Sequence, residues 1–216
     1  MRWLTLLLLL PWQAIASPLV SDRLVDLIIA FEVGSPELYE RKYKSPYYPG
    51  GKYSGVTAGI GYDFGHRAPA IIIKDWHKHP HKVRLATASG ITGPLSKAVA
   101  HSLADISIGF GYAREVFEQT SIVEHNRIAR RVFGKDNFDR ASQGVQDALT
   151  DIAFNRGGSM AGNSRIEMRR IRDVCLPRQD HACIKAEIIK MCRINAGTDI
   201  GRGICRRRHA DAALIQ

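Results

Sequence analysis

The chain has 216 residues, 45% of them hydrophobic, and its 31 Lys and Arg against 21 Asp and Glu give a formal net charge of +10. That length and apolar content fit one domain, or two small ones, with a sizeable core, and exclude a low-complexity chain. The positive balance favours anionic partners: nucleic acid, acidic membrane surfaces or bacterial cell wall.

In chain order, residues 1–16 read as a secretory signal. Arg2 supplies the charged start, Leu4 to Leu10 the apolar run, and Ala14-Ile15-Ala16 a cleavage site before Ser17. The run is short for a bilayer and Pro11 would interrupt it, although a retained N-terminal anchor is the rival reading. Residues 17–216 are expected to form a single exported domain, periplasmic or secreted, with no stable membrane anchor. Ser21 can cap a helix running to about Val33, with Leu24, Leu27, Ile28 and Phe31 on one face, Glu32 on its last turn and Gly34 as its stop. Tyr39 to His66, rich in Tyr, Gly and Pro, reads as short antiparallel strands with turns at Pro49-Gly50-Gly51. Helices are expected near 69–77, 80–88, 93–101, 110–119, 122–133, 141–156, 164–173, 181–193 and 203–214, punctuated by glycines. Helix, small sheet, then many helices is an α+β order, with the sheet segregated and a cleft between it and the helical lobe.

All four cysteines, Cys175, Cys183, Cys192 and Cys205, lie in the last quarter, and suit an oxidising compartment. On one helix Cys183 and Cys192 would stand about 13 Å apart, beyond the roughly 7 Å a disulfide tolerates. The most local remaining pairing is Cys175–Cys183 with Cys192–Cys205. A four-cysteine zinc site is the alternative, but close C-x-x-C pairs are absent. The tract His66, His77, His79 and His81 is interleaved with Lys74, Lys78, Lys82 and Arg84, which disfavours a metal and suggests a solvated basic loop. No metal and no cofactor are expected. Arg206-Arg207-Arg208 is the densest basic cluster and reads as an exposed patch steering toward an anionic polymer. Because every cysteine is distant in sequence from residues 32–66, reduction is expected to leave the cleft in place.

The most informative stretch is Ser54-Gly-Val-Thr-Ala-Gly-Ile-Gly-Tyr-Asp-Phe-Gly-His66. It sets a hydroxyl (Thr57) and a carboxylate (Asp63) on one glycine-lined hairpin, with Glu32 upstream at a helix end. Two carboxyls and a water-holding polar group are the minimal set for glycoside hydrolysis. The same residues could instead be an ordinary hairpin whose Thr and Asp make only turn hydrogen bonds.

The wording of these segments, with Phe31-Glu-Val-Gly34, Tyr47-Tyr-Pro-Gly-Gly51, Ala148-Leu-Thr-Asp-Ile-Ala-Phe-Asn-Arg-Gly-Gly158 and Gly203-Ile-Cys-Arg-Arg-Arg-His-Ala-Asp-Ala-Ala213, resembles the phage-type lysozymes, most closely the pesticin-like branch. The likeness runs from about residue 20 to the C-terminus. It implies a lysozyme-like fold and a catalytic set of Glu32, Thr57 and Asp63. Many phage-type lysozymes carry the Asp before the Thr. This chain has no Asp between Glu32 and Thr57, which leaves Asp63 as the second carboxylate. Ala58 replaces a larger residue usual in the family. Tyr62, Asn155 and Arg156 are candidate substrate contacts, Asn155 by the resemblance; the alternative for Asn155 is that it only caps the end of its helix.

The activity so implied is a monomeric, exported muramidase that cuts the β-1,4 bond between N-acetylmuramic acid and N-acetylglucosamine in peptidoglycan glycan strands, with inversion. A periplasmic immunity or inhibitor protein is a conceivable partner. A lysozyme-like protein that binds glycan without cutting is the first alternative. A basic nucleic-acid binder is the second; the signal, the cysteines and the absence of an aromatic-basic stripe count against it.

Overall fold

The computed structural model describes residues 19–216; the signal segment and its cleavage site lie outside them. The order is α1 (Asp22–Glu32), α2 (Pro36–Lys42), β1 (Thr57–Ala58), β2 (Tyr62–Asp63), α3 (Pro69–Asp75), α4 (Lys82–Ala86), α5 (Leu95–Ser102), α6 (Phe110–Phe117), α7 (Val123–Phe133), α8 (Lys135–Arg140), α9 (Gln143–Arg156), α10 (Ile166–Arg170), α11 (His181–Lys190) and α12 (Asp199–Leu214). The described chain is therefore mainly helical with one small antiparallel hairpin, compatible with an α+β class. Among the described residues no helix is long and apolar enough to cross a membrane.

Helix α1 begins where the Ser21 hydroxyl accepts the Leu24 N–H and buries Leu24, Val25, Ile28 and Ile29. Glu32 is its last residue. The region expected as strands starts instead with α2, because Ser35 caps and Pro36 occupies the first turn, where its missing N–H costs nothing. Strand structure is confined to the two-residue β1 and β2, with an isolated bridge from Tyr47 to Thr57 and another from Gly55 to Thr92. Beneath the hairpin, Tyr62, Phe64 and Trp76 form a cluster with ring centroids 5.0–5.5 Å apart, a tilted and edge-on geometry that aromatic pairs favour.

The expected helices 110–119 and 122–133 are one run, because α6 passes into α7 through a wide π turn over Glu118–Ile122. Such turns relieve register locally and are frequent at functional sites. Helix α12 starts earlier than the expected 203. Thr198 accepts the Gly201 N–H, and the backbone of Asn195 lies so near Gly201 that a Cβ could not be accommodated there. A glycine that weakens a helix by propensity is thus required by packing at this start. Helix α12 packs on α1, α9 and α11. Both disulfides form as expected, Cys175–Cys183 and Cys192–Cys205, and leave no free cysteine.

Candidate active site

Thr57 and Asp63 are directly opposite each other across the hairpin, so their side chains share a face. Asp63 is fixed by backbone alone: Gly55 N–H donates to Oδ2 at 3.0 Å and Gly65 N–H to Oδ1 at 2.8 Å. Both glycines are obligatory. A Cβ on Gly55 would run into the Asp63 carboxylate, and one on Gly65 would meet the Ile91 carbonyl at 2.6 Å. His66 Nε2 bonds the Tyr53 carbonyl at 2.8 Å and stands 3.8 Å from Asp63 Oδ2. Thr57 is buried, and its main chain exchanges hydrogen bonds with Tyr47 at 2.8 and 2.9 Å.

Glu32 is held differently. Arg207 Nη1 donates to its Oε1 at 2.7 Å; its second oxygen has no protein partner among the described residues. The same guanidinium grips Asp151 with two bonds of 2.8 and 2.6 Å, the fork geometry in which Arg binds carboxylate most strongly. It also lies over the rings of Phe31 and Phe154, 5.4 and 5.6 Å from their centroids. Burial pushes the Asp151 carboxyl up, but the bonds from Arg207 and the charges of Arg207 and Arg208, with the neighbouring Asp211 carboxyl, outweigh it and hold the group below its ordinary range. Asp211 goes the other way, raised well above that range by burial and by the Asp151 charge. Arg208, fully buried, stands 3.5 Å from Asp151 and 3.1 Å from Asp211.

Phe154 connects these two half-sites, since it lines the groove beside Asp63 and also lies under Arg207. A cavity of about 380 Å³ is lined by Tyr62, Asp63, His66, Glu124 and Phe154. Phe154 is thus a wall for Asp63 and the platform for the Arg207 that holds Glu32. Tyr47 links them from the other side, bridged to Thr57. Its phenol is pushed up by burial, then by Tyr43 and by the negative charge of Glu32.

Several expectations need correction. Arg207 and Arg208 are buried structural cations, not a wall-facing patch; of the three, only Arg206 is exposed. Consecutive charges on a helix point in different directions, and two of these turn inward to meet Asp151. The cysteines lie nearer the site in space than in sequence, because Cys205 is two positions from Arg207 on α12. The expected Tyr62 contact is buried, with its hydroxyl committed to Asp75 at 2.8 Å, so that hydroxyl is already used within the protein. Asn155 is exposed at the end of α9 and accepts from Arg208 at 3.1 Å. Arg156 turns away to the Ser164 carbonyl, and burial, then Arg165 and Arg208, lower it to about 10. His79 is a core residue, not part of a solvated loop: its Nδ1 accepts the His81 N–H at 3.2 Å and its ring stacks on Tyr112.

Sequence reasoning missed Tyr47, Arg67, Glu124, Asp151, Phe154 and Arg207. Asp151 carried a signal: it is an acid inside the apolar stretch Ala148 to Ala153, on the same helix face as Phe154 and Asn155. Among the described residues, Cys192, Cys205 and His209 come within 4.8 Å of one another, the approach a metal would need, but the two sulfurs are spent in a disulfide. No protein-family model matches the chain and no curated protein matches it as a relative, so the functional argument rests on these residues.

Proposed function

We propose that the protein is a muramidase with a lysozyme-like fold, acting on the β-1,4 bond between N-acetylmuramic acid and N-acetylglucosamine in peptidoglycan. The observation that carries this is the facing pair Thr57 and Asp63, with Asp63 lining a groove whose Phe154 wall supports the Arg207 that holds Glu32. Glu32 protonates the glycosidic oxygen through the oxygen that Arg207 leaves free. Asp151 already matches the charge of Arg207, so Glu32 is not its sole counter-ion. Asp63, held by two amides, takes a proton from the water that Thr57 helps to orient, and attack from the opposite sugar face inverts the anomeric centre. Inversion expects the two carboxyls to stand about 6.5–9.5 Å apart. The net charge of +10 draws the protein toward an anionic wall, and the two disulfides suit a destination outside the cytosol. An immunity or inhibitor protein would act by filling the same groove.

The test is the release of new reducing ends from purified peptidoglycan. The wild-type protein should release them, and Glu32→Gln should fold normally yet lose about 10²–10⁴-fold in rate. A glycan binder without chemistry would release none even as wild type, and an unimpaired Glu32→Gln would contradict the role of the acid.

A further inference from the structure

Outside the groove, two cysteines and one imidazole come together on the C-terminal helix. Cys192, Cys205 and His209 place their ligating atoms within 4.8 Å of one another. Cys205 and His209 are four apart on α12 and so stand one turn apart on a single face. Cys192 comes from the turn Met191–Arg193 that follows α11, and its Cα lies 4.5 Å from that of Cys205. His209 is exposed, and its imidazole has no hydrogen-bond or ion-pair partner among the described residues.

The Cys192–Cys205 bond and a metal exclude each other, since the metal ligand is a thiolate and a disulfide sulfur has none to offer. The two bridges differ in access: Cys175 is fully buried, whereas Cys192 and Cys205 are both partly exposed. A dithiol therefore meets Cys192–Cys205 first. It donates two electrons and two protons, the Sγ–Sγ bond breaks into two thiols, and the dithiol closes to its own disulfide. A divalent ion then displaces both thiol protons and gains two thiolates and the neutral imidazole. Zinc bonds of about 2.3 Å to sulfur put two tetrahedral thiolates roughly 3.8 Å apart, inside the span that the cluster already occupies. Two sulfurs and one nitrogen suit a borderline ion such as zinc and not the oxygen-seeking magnesium or calcium. Arg193 and Arg206, next in sequence to the two cysteines, favour the thiolate form.

We propose that Cys192, Cys205 and His209 form a redox-gated zinc site, closed while the disulfide stands and open once a dithiol has reduced it. Three protein ligands leave the fourth tetrahedral position to water. The ion takes over the bridge between α12 and the turn after α11, which the disulfide makes in the oxidised protein. Arg207, two positions from Cys205, turns inward to Asp151, and residues two apart do not share a helix face. The site therefore lies off the groove, and the inference stands without the muramidase reading.

The test titrates zinc chloride, against a chromophoric chelator, into oxidised protein and into protein reduced with dithiothreitol and desalted under argon. Reduced wild type should take up one equivalent and oxidised wild type none, and magnesium chloride should not compete. His209→Ala, at an exposed position that leaves both bridges intact, should lower the affinity of the reduced protein at least about tenfold. Reduced Cys192→Ser/Cys205→Ser should take up none. Cobalt in place of zinc should give a thiolate charge-transfer band in reduced wild type that this double variant lacks. If reduction alone melts the helices, zinc should restore their circular dichroism at lower concentration in wild type than in His209→Ala. No uptake by the reduced protein, uptake by the oxidised protein, or uptake that either variant retains unchanged would each overturn the site.

Discussion

The Asp63 carboxylate is held by two backbone amides, eight and two residues away, while the Glu32 carboxylate is held by a guanidinium 175 positions away. The hairpin half of the site is local: glycines at 55 and 65 exist so that the chain can press its N–H groups onto one side chain. The helical half is assembled from α1, α9 and α12, and depends on a buried charge network of Arg207, Arg208, Asp151 and Asp211. One half should tolerate changes in distant residues, and the other should not.

The largest effects should come from the hairpin chemistry itself. On the proposed mechanism, Asp63→Asn should reduce wall cleavage about 10²–10⁴-fold, as loss of a general base does, while Thr57→Ala, assigned only to orienting water, should cost less. A silent Asp63→Asn beside an inactive Thr57→Ala, compared by initial rates, would exchange the two roles.

This asymmetry also decides what the sequence made readable. The hairpin, Thr57 and Asp63 could be read because the glycines that shape them sit in the same dozen residues. Glu32 could be placed at a helix end because Ser21 and Gly34 bracket that helix. Arg207 could not be placed, because three adjacent arginines carry no mark of which faces inward until α12 is packed on α9. Helix α2 was missed although Ser35-Pro36 is a sound start signal, since the aromatic and glycine content downstream argued for strand. For the disulfides, helix geometry excluded Cys183–Cys192 only, and locality favoured Cys175–Cys183 with Cys192–Cys205, the pairing that forms.

A second contrast lies within the helical half. Asp151→Asn leaves two buried guanidiniums short of charge and should destabilise by about 3–5 kcal/mol in denaturant unfolding. Asp211, whose carboxyl is raised, contributes stability that is complete below its unfolded value near 3.9 and is lost as pH rises through its folded value. Asp211→Asn should therefore cost less than Asp151→Asn and flatten the loss of stability as pH rises above about 3.9. Equal destabilisation by both changes would contradict the opposite shifts of the two carboxyls.

A smaller effect tests the hairpin side by pH. Burial depresses His79, with the Ser107 carbonyl opposing and His81 adding to the shift. Its contribution is thus present above the unfolded value of about 6.5 and is lost as pH falls toward the depressed folded value. Thermal melts should show Tm declining over that window, and His79→Gln should remove the slope. Because His79 packs on Trp76 and Tyr112, mild acid should loosen the support of the hairpin before it reaches Asp151, whose depressed carboxyl titrates only at lower pH.

The central claim is that Glu32 and Asp63 act as an inverting pair on the glycan strand. Proton NMR of the first products from purified peptidoglycan tests it directly. The account predicts a new reducing end on N-acetylmuramic acid that appears first in the α configuration and then mutarotates. A β product, a reducing end on N-acetylglucosamine, or no new reducing end at all would contradict it.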